Sequence, residues 1–206
     1  MPYRMTPDLA QTLAEIRACR VCAPHLPREP RPIIRASTTA RLLIIAQAPG
    51  TRVHETGLSF NDRSGDRLRD WLGLDRDAFY DEANVAIMGM GFCYPGVDRN
   101  GGDLPPRPEC APHWHDRLLP LLTAVRLTLL IGLHAHQRYL PGGGRRSVTD
   151  RVAAWREQPP DRFVLPHPSW RNTGWLKRNP WFAEDVLPAL RARVRAVLDG
   201  DVGNNP

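Results

Sequence analysis

Two hydrophobic periodicities alternate along this chain. The runs Arg41-Leu42-Leu43-Ile44-Ile45-Ala46, Val85-Ala86-Ile87-Met88, Thr128-Leu129-Leu130-Ile131-Gly132 and Arg162-Phe163-Val164-Leu165 are short, almost wholly apolar and bounded by polar or turn residues. Runs apolar at successive positions predict strands covered on both faces, as in a parallel sheet. Between them apolar residues recur at helical spacing. Leu9, Leu13 and Ile16 share a stripe of a helix predicted over residues 7–18, with Thr6 as its cap and Pro7 at its first position. Further helices are predicted near residues 64–72 (Ser64 as cap), 109–124, 133–139, 147–157 (Ser147 as cap) and 179–198. In the last, Val186, Leu187, Leu190, Val194 and Val197 form the apolar face and the arginines the wet one. Gly142-Gly143-Gly144 predicts a flexible tip and residues 199–206 a frayed tail. This alternation predicts an α/β fold, a three-layer α/β/α sandwich around a mainly parallel, four-stranded central sheet. One domain is expected over 1–206, with residues 1–40 supplying a helix and a Pro/Arg-rich, cysteine-bearing connector.

In such folds ligands bind outside the C-terminal ends of the strands. Three unusual segments fall there: Ala46-Gln47-Ala48-Pro49-Gly50, the glycine-rich stretch from Gly89 to Gly96, and Leu165-Pro166-His167-Pro168-Ser169-Trp170-Arg171-Asn172. The two prolines fix the backbone on either side of His167, so its ring can be aimed at a ligand. The small residues of the first segment let a ligand approach the backbone, and Gln47 can donate or accept hydrogen bonds. That segment lacks the Gly-Lys-Ser/Thr ending of a phosphate-binding loop and the glycine spacing of a dinucleotide fingerprint.

Composition narrows the field. The 206 residues are 42% hydrophobic and 24% charged, as in an ordinary soluble domain. No apolar run reaches the length of a membrane span, and residues 1–6 carry no apolar signal region, so a cytoplasmic protein is expected. A net charge of +6 suits a polyanionic partner, of which nucleic acid is the commonest. Lys177 is the only lysine. Cys19, Cys22, Cys93 and Cys110 are too few for a disulfide scaffold. Cys19-x2-Cys22 is a chelating pair, and with Cys93 and Cys110 it can close one four-thiolate site for zinc or an iron–sulfur cluster. His25, His113 and His115 lie beside these cysteines and keep a mixed Cys/His zinc site open.

Taken together, Ala46-Gln47-Ala48-Pro49-Gly50, Gly57, Phe60, Ser64-Gly65, Cys93-Tyr94-Pro95, Cys110 and His167-Pro168-Ser169 resemble the uracil-DNA glycosylase superfamily, most closely its iron–sulfur-containing branch, family 4. The resemblance covers residues 15–195. It implies an enzyme that flips uracil out of DNA and hydrolyses its N-glycosidic bond. On that footing Ala46, Gln47, Ala48, Pro49 and Gly50 activate water and contact the base, Phe60 stacks on it, and His167 stabilises the departing base. Ser169, Trp170, Arg171 and Asn172 enter the minor groove, and the four cysteines hold a [4Fe–4S] cluster, with zinc as the alternative. The expected partner is DNA carrying uracil or another damaged base, bound by a monomer. The sequence departs from the family in places. Gln47 stands where family 4 has glutamate, and Ala48 where other branches have aspartate. Gly89 stands near the asparagine that reads uracil, a role for which Asn61 is the substitute. With Lys177 outside the loops, water is the expected nucleophile.

Overall fold

The computed structural model describes residues 8–141 and 146–200. Its main elements in chain order are α1 (Leu9–Arg17), β1 (Leu42–Ala46), α2 (Thr51–Thr56), α3 (Arg63–Leu72), α4 (Arg76–Tyr80), β2 (Val85–Gly89), α5 (Cys110–Leu118), β3 (Leu127–Ile131), α6 (Leu133–Tyr139), α7 (Val148–Ala153), β4 (Arg162–Leu165), α8 (Thr173–Arg178) and α9 (Leu187–Asp199). The strands lie in the order β2-β1-β3-β4 and every neighbouring pair is parallel. Helices flank this sheet: α9 packs on β1, β3 and α3, while α6 packs on β1, β3 and α7. The α/β architecture is therefore the one the pattern predicts. All of β1 and the first four residues of β2 are buried, which is why those runs carry no polar alternation.

The connector before β1 covers a sheet edge. Arg35 N–H donates to the Ile87 carbonyl at 3.0 Å and Ile87 N–H to the Arg35 carbonyl at 2.8 Å, which satisfies groups that an open edge would leave unpaired. No helix among the described residues is long and apolar enough to cross a membrane.

Several boundaries differ from expectation for local reasons. Asp62, not Ser64, caps α3, accepting from Gly65 N–H at 2.9 Å. Asp8 caps α1; Thr6, Pro7, the Gly142–Gly144 tip and residues 201–206 of the expected tail lie outside the described residues. Helix α9 itself runs to Asp199. Helix α5 gives way to a 3-10 turn at Leu119–Leu121, where Pro120 cannot donate an intrahelical bond. The expected 179–198 helix is a π-helical turn, Phe182–Val186, followed by α9, with Pro188 in the first turn of α9. A proline N–H is missing there, and a local widening accommodates it. Ser147 does cap α7, in a reciprocal capping box with Asp150. Helices α2, α4 and α8, five or six residues each, are too short to show a period.

Candidate active site

The three loops singled out in the sequence converge. The turn after β1, the end of β2 and the loop after β4 line one open cavity of about 320 Å³, together with the segment entering α3. This is the edge where the strand order reverses between β1 and β3, the usual crevice of an open parallel sheet.

His167 is the best-defined group in it. Ser169 N–H donates to His167 Nδ1 at 3.2 Å, so Nδ1 carries the lone pair and the neutral ring bears its proton on Nε2. Burial lowers the pKa of this histidine, with Asp62 acting weakly the other way, so the ring is neutral at neutral pH. Nε2–H meets no acceptor among the described residues. The loop is held from behind: Asn172 Nδ2 donates to the His167 carbonyl at 2.7 Å, and the imidazole lies against Gly132, whose φ of 81° favours glycine. Arg67 on α3 fastens the loop, donating to the Ser169 carbonyl at 2.8 Å and to Thr173 Oγ1 at 3.2 Å.

Phe60 lines the same cavity with a backbone φ of 56°. A left-handed phenylalanine is uncommon and persists only where its surroundings over-determine it. Here the cause is Gly65. A Cβ at that position would lie 1.6 Å from the Phe60 carbonyl oxygen, so only glycine lets α3 start this close to the turn. Tyr80 Oη donates to the Ser59 carbonyl at 2.8 Å, and the Phe60 ring meets Phe79 edge-on at 6.1 Å. The turn is thus braced from α4.

The first loop lies across the cavity from this turn. Ala46, Gln47, Ala48, Pro49 and Gly50 all line the void. Gln47 Nε2 makes a long contact, 3.4 Å, to the Leu104 carbonyl. Gly89 also lines it, and a Cβ there would lie 2.4 Å from the Gly91 carbonyl, so the backbone closes over the position. His115, fully buried behind, fixes that carbonyl edge: its Nε2 is 3.1 Å from the Gly89 oxygen and its Nδ1 2.5 Å from Tyr139 Oη.

Asn61, expected as a base-reading substitute, does not line the cavity. Leaving the left-handed Phe60, it turns outward and accepts from Arg76 at 3.2 Å. Its neighbour Asp62 lines the cavity instead, with Ser59 and Ser64. Asp103, at the end of the glycine-rich loop after Cys93, also lines it and was not singled out in the sequence. The only signal for it was a carboxylate closing a Gly-Gly turn downstream of a strand end. Ser169, Arg171 and Asn172 line the rim. Trp170 is 63% exposed outside it, with the Arg171 guanidinium 5.0 Å over its ring.

Cys19, Cys22, Cys93 and Cys110 line a second, largely apolar cavity with Phe92 and Trp114. Phe92 N–H donates to Cys110 Sγ and Trp114 Nε1 to Cys19 Sγ, both at 3.3 Å. Burial, and then proximity to the other sulfurs, pushes Cys93 up to about 11 and Cys110 up to about 12, against opposing backbone hydrogen bonds. His25, His113 and His115 do not line this cavity, so the mixed Cys/His arrangement finds no support. Among the described residues no three Cys, His, Asp or Glu groups converge tightly enough to hold a single metal ion.

A family model of the uracil DNA glycosylase superfamily matches residues 35–191, about three quarters of the chain. The chain belongs to the uracil DNA glycosylase superfamily. The match takes in the first loop, Phe60, the His167 loop, Cys93 and Cys110, and leaves Cys19 and Cys22 outside its bounds. Within this superfamily member two buried histidines, His115 against the end of β2 and His136 against β3, carry a titration that can be checked directly. Burial pushes His115 and His136 down to about 4. In the unfolded chain both rings take protons near 6.5. Their neutral burial is therefore fully compatible with folding above about pH 6.5 and opposes it progressively as pH falls towards 4, by on the order of 3 kcal/mol per ring at most. The melting temperature is expected to fall across that window, and His136→Gln to flatten part of the fall. A constant melting temperature from pH 6.5 to 4 would contradict it.

Proposed function

We propose that this chain removes a damaged base, uracil first, from DNA by hydrolysing the N-glycosidic bond with water as nucleophile. The observation that carries this reading is His167: a neutral imidazole whose Nε2–H is left as a donor in a cavity that Phe60 also lines. A base departing from the sugar leaves as an anion, and a preorganised donor aimed at that charge is among the largest catalytic levers. The cavity is at the small end of ligand pockets, which suits one extrahelical nucleotide. Phe60 supplies a stacking face, while exposed Trp170 and Arg171 stand where a duplex would meet the rim. Lys177, on α8, does not line the cavity, which supports water over an amine nucleophile.

The base is a further step. With Gly89 closed and Asn61 turned outward, no asparagine at those positions reads uracil. Selectivity then falls to Gln47, Ser59, Asp62 and Asn172, and the observation favours a second reading, excision of another deaminated base by the same chemistry. For the second cavity we infer a [4Fe–4S] cluster held by Cys19, Cys22, Cys93 and Cys110, as in the iron–sulfur branch. Four sulfurs around one void, two of them already accepting N–H donors, fit such a group better than a single zinc. Its contribution is taken as structural.

The deciding experiment uses duplex and single-stranded oligonucleotides carrying one uracil, hypoxanthine or xanthine. Uracil DNA is expected to acquire an alkali-labile abasic site. Failure to release any of the three bases from either substrate refutes the enzyme reading, and release of hypoxanthine or xanthine without uracil selects the second one.

A further inference from the structure

The first loop of this site contains no acid: Ala46, Gln47, Ala48, Pro49 and Gly50 offer only an amide, which cannot accept a proton from water at neutral pH. A carboxylate is nonetheless brought against that loop from elsewhere. Asp103 Oδ1 lies 3.8 Å from where a Cβ on Gly50 would stand, and the residue lines the cavity that holds His167 and Phe60.

The segment that carries Asp103 is a closed turn. Asp98 Oδ1 accepts from Asn100 N–H and Gly102 N–H, both at 2.8 Å. Asp98 N–H donates to the Gly102 carbonyl at 2.7 Å and Leu104 N–H to the Gly96 carbonyl at 2.9 Å, and Val97 pairs antiparallel with Asp103. The turn is tied to the histidine loop as well, since Arg171 Nη2 donates to the Gly101 carbonyl at 2.8 Å. Five hydrogen bonds therefore hold the backbone just before and after Asp103.

We propose that the Asp103 carboxylate is the general base that takes the proton from the attacking water. The inference rests on the glycosylase reading of the site. In the step, one O–H bond of water breaks and its proton passes to Asp103. The water oxygen forms a bond to C1′ of the sugar as the N-glycosidic bond breaks. The bonding pair leaves with the base, whose negative charge the His167 Nε2–H stabilises. Solvent then protonates the free base, and Asp103 returns its proton to water. No other reagent is needed.

The electrostatic setting suits the role. Burial raises the pKa of Asp103, and Asp62 adds to this, while Arg171 draws it down. A carboxylate made more basic by its surroundings is better suited to accept a proton from water. Other acids nearby are engaged. Glu55 pairs with Arg28 at 3.3 Å, and Asp62 spends one oxygen capping α3. Asp62 is the rival, because it too lines the cavity.

The test is single-turnover excision at saturating enzyme, which separates the chemical step from DNA affinity, on the full chain. Asp103→Asn is expected to slow excision about 100-fold or more, within the usual range for general base catalysis. Added formate should restore part of the rate to Asp103→Ala, because a small carboxylate can enter the vacated space, and should not restore His167→Ala. A purely structural role for Asp103 gives no formate rescue. Asp62→Asn keeps the helix cap, since asparagine caps as well as aspartate. An Asp103→Asn rate within threefold of wild type, or formate rescue at Asp62→Ala and not at Asp103→Ala, overturns the proposal. A wild-type chain that releases none of the three bases removes the glycosylase reading and this inference with it. Wild-type release with an unaffected Asp103→Asn removes only the inference.

Discussion

Replacing His167 with alanine is expected to slow uracil excision by about 10²–10³-fold in single-turnover assays, the usual cost of removing one preorganised donor from a developing anion. The argument starts from Nδ1. Because it accepts the Ser169 N–H at 3.2 Å, the ring has a fixed tautomer and presents Nε2–H. Because burial lowers its pKa, the ring is a neutral donor rather than a cation that would cost desolvation. Two prolines, Asn172 and Arg67 hold the loop, so little reorganisation accompanies the reaction. Gln47→Ala should cost less, because its amide can position water but cannot accept its proton. The two rates, measured side by side with melting temperatures, check this. A larger loss for Gln47→Ala than for His167→Ala would assign the main lever to the first loop.

The second large effect concerns the cysteines. Protein purified without oxygen is expected to be brown and to contain about four irons and four sulfides per chain, the content of one cubane cluster. Cys110→Ala, which removes a part-buried sulfur that accepts the Phe92 N–H, should abolish the colour and the iron together. It should also lower the melting temperature markedly, since metal-site binding energy is folding energy. The desolvation that pushes Cys93 and Cys110 up to about 11 and 12 keeps these thiols protonated without a metal, so loading should release protons. Colourless protein with one zinc per chain refutes the cluster. Loss of iron from Cys110→Ala with unchanged stability would remove its structural role.

Much of this architecture was written in one dimension. The four apolar runs became the four strands because a strand covered on both faces has no polar alternation, which made them visible without knowledge of their partners. The three odd loops were legible for a related reason. In an all-parallel sheet every strand C-terminus falls on one edge, so Gln47, Gly89 and His167 had to be neighbours once the strands were known. Ser147 and its box with Asp150 were local, and so readable. Ser64 was misread as a cap because Asp62, two residues earlier, competes for the same role and wins by its geometry.

What the tertiary structure alone decided is how side chains meet across loops. Asn61 and Asp62 are adjacent in sequence, yet one turns to Arg76 and the other into the cavity. The cause is Phe60, whose left-handed backbone depends on the missing Cβ of Gly65. Asp103 had no periodicity, no motif and a separation of more than fifty residues from Gly50; only folding of its turn against the loop after β1 brought them together. The sequence by itself determined the sheet, its edge and the histidine on it, because these follow from local burial and backbone stiffness. The acid that joins His167 and the cavity shared by the four cysteines depended on contacts between distant segments, which no local pattern encodes.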